Sequence, residues 1–257
     1  MSPMRDNISN ELKEIEQLET VKILYACESG SRAWGFPSAD SDYDVRFLYI
    51  HPTDWYISIF DRPDVIERPI NDLLDVSGWD LRKALQLLRK SNPSLLEWLQ
   101  SPIIYDERYP IAQRLRDLAH DSFSPKACMY HYLSMAKSTE RLYLKGEQVK
   151  IKKYFYVLRP ILAAQWIDRY LTMPPMSFDQ LVQELVPKGE MFGEIEMLVA
   201  RKKAGEELDL ESKIDCVHNF IGVQFEQLEK RAKEIKPTVI NIDGELDDLF
   251  RETLRTW

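Results

Sequence analysis

The first 110 residues alternate between short apolar runs typical of strands and apolar residues at helical spacing. β-branched and aromatic residues mark the strands, whereas apolar residues three or four positions apart mark the helices. The predicted strands are 21–26, 43–50, 71–77 and 101–105, and the predicted helices are 10–20, 81–90 and 95–99. In the first helix Leu12, Ile15 and Leu18 form the apolar face, which we expect to cover the sheet.

Beyond this region the pattern is almost entirely helical. We therefore predict two parts, 1–110 and 111–257. Pro125 begins a long helix, because proline is favoured in the first turn. The expected buried positions of this helix are Met129, Leu133, Ala136 and Leu142. A second helix begins near Val149 and contains Pro160, which is expected to kink it.

A turn follows the first predicted strand. Gly30 permits a sharp change of direction, and Ser31 can cap a short helix or offer its hydroxyl to an anion. After a gap of ten residues, Asp42 and Asp44 stand one residue apart where the second strand begins. Because side chains alternate along a strand, both carboxylates are expected on one face. Facing carboxylates suit Mg²⁺ or Mn²⁺, so the pattern predicts a metal site.

At these residues the sequence resembles the DNA polymerase β-type nucleotidyltransferase superfamily, whose signature is Gly-Ser, about ten residues, then Asp-x-Asp. The segments 30–35, 41–46, 75–84 and 92–99 narrow the resemblance to the YcgL-type predicted nucleotidyltransferases, related to the RNA-ligase-associated RlaP family. It covers roughly the first 105 residues. It implies an α+β fold: a nucleotidyltransferase-type mixed β-sheet with helices, followed by a mostly helical C-terminal half.

The resemblance implies a metal-dependent enzyme that transfers a nucleoside monophosphate from an NTP to an acceptor hydroxyl and releases pyrophosphate. Mg²⁺ (or Mn²⁺) is the implied cofactor and ATP the expected nucleotide, bound in a cleft between the two parts. The acceptor is left open among RNA, protein and small molecules. Two other hypotheses stay open: a regulatory or binding protein that keeps the fold without turnover, and an RNA-end repair partner.

The superfamily also implies a third carboxylate on the next strand. Asp75, between two apolar neighbours, fits that place, so Asp42, Asp44 and Asp75 are the predicted catalytic residues and metal ligands. Asp75 would bind the acceptor-side ion and could accept a proton. Asp80 is the alternative, although helix capping alone accounts for an aspartate just before the helix that starts near Leu81.

Residues beside the acids are implied to bind the nucleotide. Gly30 and Ser31 are assigned to the triphosphate, and Arg32 and Arg46 flank the site. Arg46 shares the strand face of the acids by period two, so it contacts either phosphate or a carboxylate. The lysine that must follow a P-loop is absent, which excludes that reading of the glycine-containing turn.

The helical part offers further candidates. Lys152, Tyr156 and Arg159 recur at i, i+4 and i+7, which puts them on one stripe of a helix. Related nucleotidyltransferases place such residues facing the triphosphate, so the resemblance implies nucleotide binding here. Lys153 replaces Lys152 if the helix is rotated, and a solvated basic face beside an aromatic core is the alternative.

Composition bears only on partners and compartment. A formal charge of −8 excludes a chain that coats nucleic acid non-specifically, although a local basic groove is compatible with it. Cys27, Cys128 and Cys216 lie far apart with no C-x-x-C pair, so reduced thiols and a cytoplasmic location are expected. No run approaches the roughly 18 apolar residues of a membrane span, so no membrane partner is expected.

Overall fold

The computed structural model describes residues 3–70, 73–237 and 240–256. Its strands are β1 (Lys22–Glu28), β2 (Tyr43–Ile50), β3 (Val65–Glu67), β4 (Leu74–Asp80), β5 (Ile104–Asp106), β6 (Gln148–Lys150) and β7 (Leu210–Ser212). Its helices are α1 (Pro3–Leu18), α2 (Gly30–Trp34), α3 (Thr53–Tyr56), α4 (Leu81–Arg89), α5 (Pro93–Leu99), α6 (Ile111–Ser122), α7 (Pro125–Tyr143), α8 (Lys153–Tyr170), α9 (Phe178–Leu185), α10 (Glu190–Lys203), α11 (Asp215–Glu234) and α12 (Asp243–Arg255). The α+β class with a mostly helical second half is confirmed.

Contacts divide the chain into two units, each formed from separate segments. Unit 1 comprises Met1–Ala33, Asp42–Ser122 and Ile240–Trp257, and unit 2 comprises Trp34–Ser41 and Phe123–Val239. The predicted division at residue 110 does not coincide with these boundaries, because α6 and α12 pack with the sheet of unit 1. As a division into functional domains, it stays a prediction.

Unit 1 is built on a mixed sheet with the strand order β3-β4-β2-β1-β5 among the described residues. Strand β1 pairs antiparallel with β2 and β5, β3 pairs antiparallel with β4, and β2 and β4 are parallel. Strand β2 has the predicted bounds, 43–50. The strand predicted at 71–77 corresponds to β4, which extends to Asp80. Asn71 and Asp72, at the start of the predicted third strand, lie outside the described residues.

Strand β2 shows why polar groups collect at its beginning. Val45 and Phe47 pack in a cluster with apolar residues of α1, whereas Leu48 belongs to a second cluster with α4, α5 and α6. Asp44 and Arg46 share the face of Leu48 by alternation but are only partly buried. The start of β2 therefore presents charged side chains on a sheet whose remaining length is apolar on both faces.

Two predicted helical positions are wrong in detail. Helix α1 begins at Pro3 and buries Ile8, whereas Leu18, its last residue, is 63% exposed. Leu142, in the last turn of α7, is also exposed. In both cases the apolar spacing continues into a helix end that the neighbouring elements do not cover.

Unit 2 is mainly helical, with α8 packed against α7, α9 and α11. Helix α8 begins at Lys153 rather than near Val149, because 148–150 form a short antiparallel ribbon with 210–212. Pro160 lies inside α8, and the helix continues to Tyr170. None of the helices in the described part of the chain is long and apolar enough to span a membrane.

Candidate active site

Two of the predicted acids lie side by side because β2 and β4 are parallel and in register. Asp44 pairs with Asp75, and the Tyr43 backbone N–H donates to the Leu73 carbonyl at 2.6 Å just ahead of them. Strands in a sheet lie about 4.8 Å apart, and residues in register point to the same face. Their side chains are 27% and 30% exposed. Both carboxylates can therefore reach solvent while their backbones stay fixed by the sheet.

Arg46 lies between these two carboxylates. Its Nη2 donates to Asp44 Oδ1 at 3.1 Å and to Asp75 Oδ2 at 2.7 Å. Its Nη1 donates to the main-chain carbonyls of Val45 and Asp75, both at 3.0 Å. The sequence predicts that Arg46 contacts either a phosphate or a carboxylate. In this structure its guanidinium pairs with two carboxylates. A binding role toward phosphate stays a prediction.

Gly30 leaves room for the Asp44 carboxylate. A Cβ atom built on Gly30 would lie 2.0 Å from Asp44 Oδ2, and the residue has φ = +60°. Either feature alone disfavours any other residue, since a side chain would collide and L-residues rarely adopt this conformation. The Ser29 N–H donates to the Asp44 carbonyl at 2.8 Å, which fixes the turn against β2. The glycine of the motif thus shapes the position of the acid that follows it.

Glu28, a buried carboxylate that the sequence pattern did not indicate, holds the backbone of Asp44 in place. Glu28, the last residue of β1, is 0% exposed, and its Oε1 accepts a hydrogen bond from the Asp44 N–H at 2.8 Å. Its Oε2 accepts from the Tyr105 hydroxyl. Burial raises the pKa of the Glu28 carboxyl, and these two hydrogen bonds partly oppose the shift. We call Glu28, Asp44, Arg46 and Asp75 the acidic edge.

The remaining predicted residues of the turn take different positions. Asp42 lies one residue before β2 with an exposed side chain, so the alternation argument does not extend to it. Its carbonyl accepts from Arg32 Nε at 3.1 Å, and the Arg32 guanidinium lies 3.6 Å from the centre of the Tyr43 ring. Ser31 lies inside the first turn of α2 rather than at its cap, since that helix begins at Gly30.

Asp80, the alternative third acid, is at the other end of β4. It is 1% exposed, its Oδ1 accepts from the Arg82 N–H at 2.8 Å and its Oδ2 accepts from the Tyr56 hydroxyl at 2.6 Å. It is the N-cap of α4. It is five residue steps along the strand from Asp75, about 16 Å at 3.3 Å per residue. The two hydrogen bonds and the N-cap position therefore account for Asp80 as a structural residue.

Cys27 is an inert core side chain. It is 0% exposed, and burial raises the pKa of its thiol to about 12. A thiol with such a pKa stays protonated at neutral pH and is a poor nucleophile. Cys27 therefore serves as a small core side chain of unit 1.

Unit 2 contains a cavity of about 480 Å³ that includes two of the predicted nucleotide-binding residues, Lys152 and Tyr156. The described residues that line it are Ser38, Asp40, Lys150, Lys152, Lys153, Tyr156, Lys202, Glu206, Glu207, Leu208 and Asp209. Four are lysines and four are acids, so the walls offer both signs of charge. We call it the lysine cavity. Both Lys152 and its alternative Lys153 belong to it.

Three chain segments assemble the lysine cavity. The Ile151 and Lys152 N–H groups donate to the carbonyls of Asp209 and Leu208, both at 2.9 Å, which joins the start of α8 to the segment before β7. Lys202, on α10, is 7% exposed. Hydrogen bonding by Ser38 chiefly, with the charges of Lys202 and Lys152, lowers the pKa of the Asp40 carboxyl.

Arg159, the third member of the predicted stripe, has different surroundings. It is 2% exposed, and its Nη2 lies 3.6 Å from the Met176 sulfur. Its guanidinium is 4.7 Å from the centre of the Trp34 ring. Because α8 is buried on most sides, the position that continues the stripe falls among packed side chains. The nucleotide-binding role of Arg159 stays a prediction.

A family model described as "RNA repair pathway DNA polymerase beta family" matches residues 4–252 of this chain. The chain belongs to that family. An uncharacterized protein of Bacillus subtilis (strain 168), YcgL, is 55% identical over 251 residues, which cover 98% of this chain and 96% of YcgL. Family membership confirms the resemblance to polymerase β-type nucleotidyltransferases, and with it the general class.

Among solved structures, the chain is similar to a nucleotidyltransferase-like protein from Exiguobacterium sibiricum 255-15. It is 14% identical, and the alignment covers 90% of this chain and 75% of that protein, with a TM-score of 0.32. A likeness of this size supports no argument about fold or function. The assignment therefore rests on the family match and on the 55% identical relative.

The donor chemistry of the acidic edge fits a divalent cation. Two carboxylate oxygens already converge on one positively charged nitrogen, and carboxylates are the ligands that Mg²⁺ and Mn²⁺ prefer. Within 3–70, 73–237 and 240–256 no group of three or more Asp, Glu, His or Cys side chains is assembled for a metal. Asp44 and Asp75 offer two carboxylates to a cation, and their role as metal ligands, like that of Asp42, stays a prediction.

Sequence reasoning missed residues whose partners are distant in the chain. Glu28 follows the apolar run 23–27 of β1 just before the turn, and a charge at the end of such a run is the signal that could have found it. Lys202 gave no comparable signal, because a basic residue in the last turn of a helix is explained by the helix dipole. Both became visible only through tertiary contacts.

Proposed function

We propose that this protein is a Mg²⁺- or Mn²⁺-dependent nucleotidyltransferase that transfers a nucleoside monophosphate from an NTP to an acceptor hydroxyl. The acceptor oxygen forms a bond to the α-phosphorus, the bond from that phosphorus to the β-phosphate oxygen breaks, and pyrophosphate leaves. The observation that supports the proposal most is the convergence of Asp44 and Asp75 on one positively charged nitrogen, Nη2 of Arg46. Membership of the polymerase β-type family supports the same chemistry.

In this proposal Asp44 and Asp75 hold the cation, with Asp42 as a further ligand. The cation, when bound, neutralises developing phosphate charge and lowers the pKa of the acceptor hydroxyl. Gly30 keeps the Asp44 carboxylate unobstructed, and Glu28 fixes the Asp44 backbone through its hydrogen bond at 2.8 Å. Precise carboxylate placement matters because phosphoryl chemistry depends on an in-line arrangement of the reacting oxygens.

The phosphate groups of the nucleotide require positive or N–H donors. Ser31 with the N–H groups of its turn, and Arg32, are proposed to bind phosphate in unit 1. In unit 2, taken by itself, the lysine cavity supports a phosphate-binding role for Lys152 and Tyr156, because its four ammonium groups can donate charge-assisted hydrogen bonds to phosphate although four acids line the same walls. ATP is the first nucleotide to test.

RNA is the acceptor class we propose first. The family's own description refers to an RNA repair pathway, which favours a 3′-terminal hydroxyl over a protein or a small molecule. The formal charge of −8 argues against broad electrostatic binding of RNA, so recognition would be confined to an end. A filter-binding titration of end-labelled RNA across salt concentrations measures the number of phosphate contacts directly.

The proposal is tested by label transfer. Wild-type protein is incubated with each α-labelled NTP, Mg²⁺ and an RNA oligonucleotide, beside an Asp42→Asn, Asp44→Asn double variant. Asp243→Asn is the matched control, since Asp243 lies in unit 1 and forms an exposed ion pair with Arg89. We expect transfer by the wild type and the control and loss in the double variant. Transfer that survives the double change refutes the assignment.

A catalytically silent protein of the same fold is the second candidate. The observation that favours it is the pairing of Arg46 with both carboxylates, which neutralises part of the charge that a cation would meet. A shift of the melting temperature with NTP and Mg²⁺ that disappears in Asp75→Asn, together with label transfer, favours the enzyme. A shift without transfer to any acceptor favours the silent protein.

A further inference from the structure

We propose that Arg46 is an internal counter-ion of the acidic edge, which a divalent cation must displace before Asp44 and Asp75 can bind that cation together. The inference rests on the proposed metal-dependent function. It adds a competition between a side chain of the protein and the metal for the same two carboxylates.

Nη2 of Arg46 contacts both carboxylates. This nitrogen lies 3.1 Å from Asp44 Oδ1 and 2.7 Å from Asp75 Oδ2, so it sits between the oxygens that face each other across the two strands. A Mg²⁺ ion binds carboxylate oxygens at about 2.0–2.1 Å. An ion held by the same two oxygens would need the volume that Nη2 occupies, and it would also be repelled by the guanidinium charge.

Main-chain carbonyls hold the Arg46 guanidinium in place. Its Nη1 donates to two main-chain carbonyls, those of Val45 and Asp75, at 3.0 Å each. Both carbonyls belong to paired strands and cannot follow the side chain. The rigid planar fork of arginine therefore fixes Nη2 between the acids through the sheet itself, and not through the acids alone.

All three side chains are partly open to solvent. The side chains of Arg46, Asp44 and Asp75 are 18%, 27% and 30% exposed, so a cation can approach from solvent and the guanidinium has a path outward. Metal binding is then an exchange in which two charge-assisted hydrogen bonds of Arg46 are broken. The apparent affinity for the metal should be lower than the two carboxylates alone would give.

The opposite role is that Arg46 organises the carboxylates for the metal, and the two roles predict changes of opposite sign. We would measure Mn²⁺ binding by electron paramagnetic resonance of the free ion, at fixed ionic strength and without nucleotide. The variants are Arg46→Gln, Arg46→Lys, Asp75→Asn and, as a remote control, Arg89→Gln, which removes an exposed ion pair with Asp243.

We expect Arg46→Gln to bind Mn²⁺ at least about tenfold more tightly than the wild type, equivalent to about 1.4 kcal/mol. Arg46→Lys keeps the charge but not the fork, so we expect a gain of about threefold, where a pure charge effect would give none. Arg89→Gln should bind like the wild type, and Asp75→Asn should lose most binding. Melting curves recorded with a chelator show whether each variant is folded. If Arg46→Gln is unfolded, the Mn²⁺ affinity of Arg46→Lys decides between the two roles.

Unchanged or weaker binding in both Arg46 variants, with normal binding by the wild type, overturns the competition and leaves the proposed function intact. No Mn²⁺ binding by the wild type or by either Arg46 variant overturns both, because the acidic edge would then not be a cation site.

Discussion

The acidic edge and the lysine cavity are built in different ways. Asp44 and Asp75 are neighbours through strand register, so the backbone of one sheet fixes their separation. The lysine cavity instead combines side chains from 38–40, 150–156 and 202–209, which tertiary packing brings together. A substitution at the acidic edge therefore changes a few defined contacts. In the cavity, the remaining lysines still supply positive charge when any one of them is removed.

This difference predicts unequal sensitivity to single changes. Ligands of a metal act as a set, and loss of one ligand removes most of the function. A cluster of ammonium groups acts through a summed electrostatic potential, so removal of one charge lowers affinity only in part. The predictions test that contrast, beginning with the acids.

The largest effect is expected for Asp75. We expect Asp75→Asn to lower nucleotidyl transfer by at least about 1000-fold, since it removes one of two facing metal ligands. Asp80→Asn is the matched control on the same strand and should keep transfer within about threefold. It should instead lower the free energy of unfolding by about 1–3 kcal/mol, because Tyr56 and the α4 cap lose a charged acceptor. Equal loss of transfer in both variants would contradict the assignment of the third acid.

The next effect concerns the shape of the acidic edge. We expect Gly30→Ala to lower the free energy of unfolding by about 3 kcal/mol, from left-handed strain and the collision with Asp44. Gly205→Ala is the control for strain alone, because Gly205 has φ = +81° and nothing within 4 Å of its added Cβ. Urea denaturation measures both. A loss no larger than that of Gly205→Ala would show that Asp44 moves aside freely.

A smaller effect is expected in the lysine cavity. Lys152→Gln should raise the dissociation constant for ATP about three- to tenfold, since the other lysines of the cavity remain. Lys188→Gln, a surface change beside Phe192, should leave that constant unchanged. Calorimetric titration with ATP measures both. A loss of several hundredfold in Lys152→Gln would contradict a shared electrostatic role.

The smallest effect is a contrast in pH dependence. The folded-state pKa of Glu28 is raised above its ordinary value of 4.5, so its contribution to stability is full below that pH and is lost as the pH rises through the folded pKa. Asp40 has a lowered pKa, so its contribution is present above its ordinary value and is lost as the pH falls. Relative to wild type, Glu28→Gln should gain stability with rising pH, and Asp40→Asn should lose it. Denaturation at several pH values gives both slopes, and slopes of the same sign would contradict this.

Local pattern accounts for what could be predicted at the acidic edge. The bounds of β2 follow from its β-branched and aromatic run, and the neighbours of Asp75 mark it as part of a strand. The motif spacing then indicates the family. Alternation does not predict the direction of the Asp42 side chain, because Asp42 precedes the strand by one position.

Partners that are distant in the chain account for what could not be predicted. Periodicity predicts too early a start for α8, because 148–150 form a strand only by pairing with 210–212. Arg159 continues the helical stripe of Lys152 and Tyr156, yet it lies among packed side chains. Periodicity shows which residues share a helix face, but not which part of that face a neighbouring element covers.

The most direct measurement compares ATP labelled at the α-phosphate with ATP labelled at the γ-phosphate, in the presence of Mg²⁺ and an RNA acceptor. Wild-type protein is predicted to transfer the α-label and to release the γ-label as pyrophosphate, and Asp44→Asn combined with Asp75→Asn should do neither. Transfer of the γ-label, or α-label transfer that persists in the double variant, would contradict nucleotidyl transfer at the acidic edge.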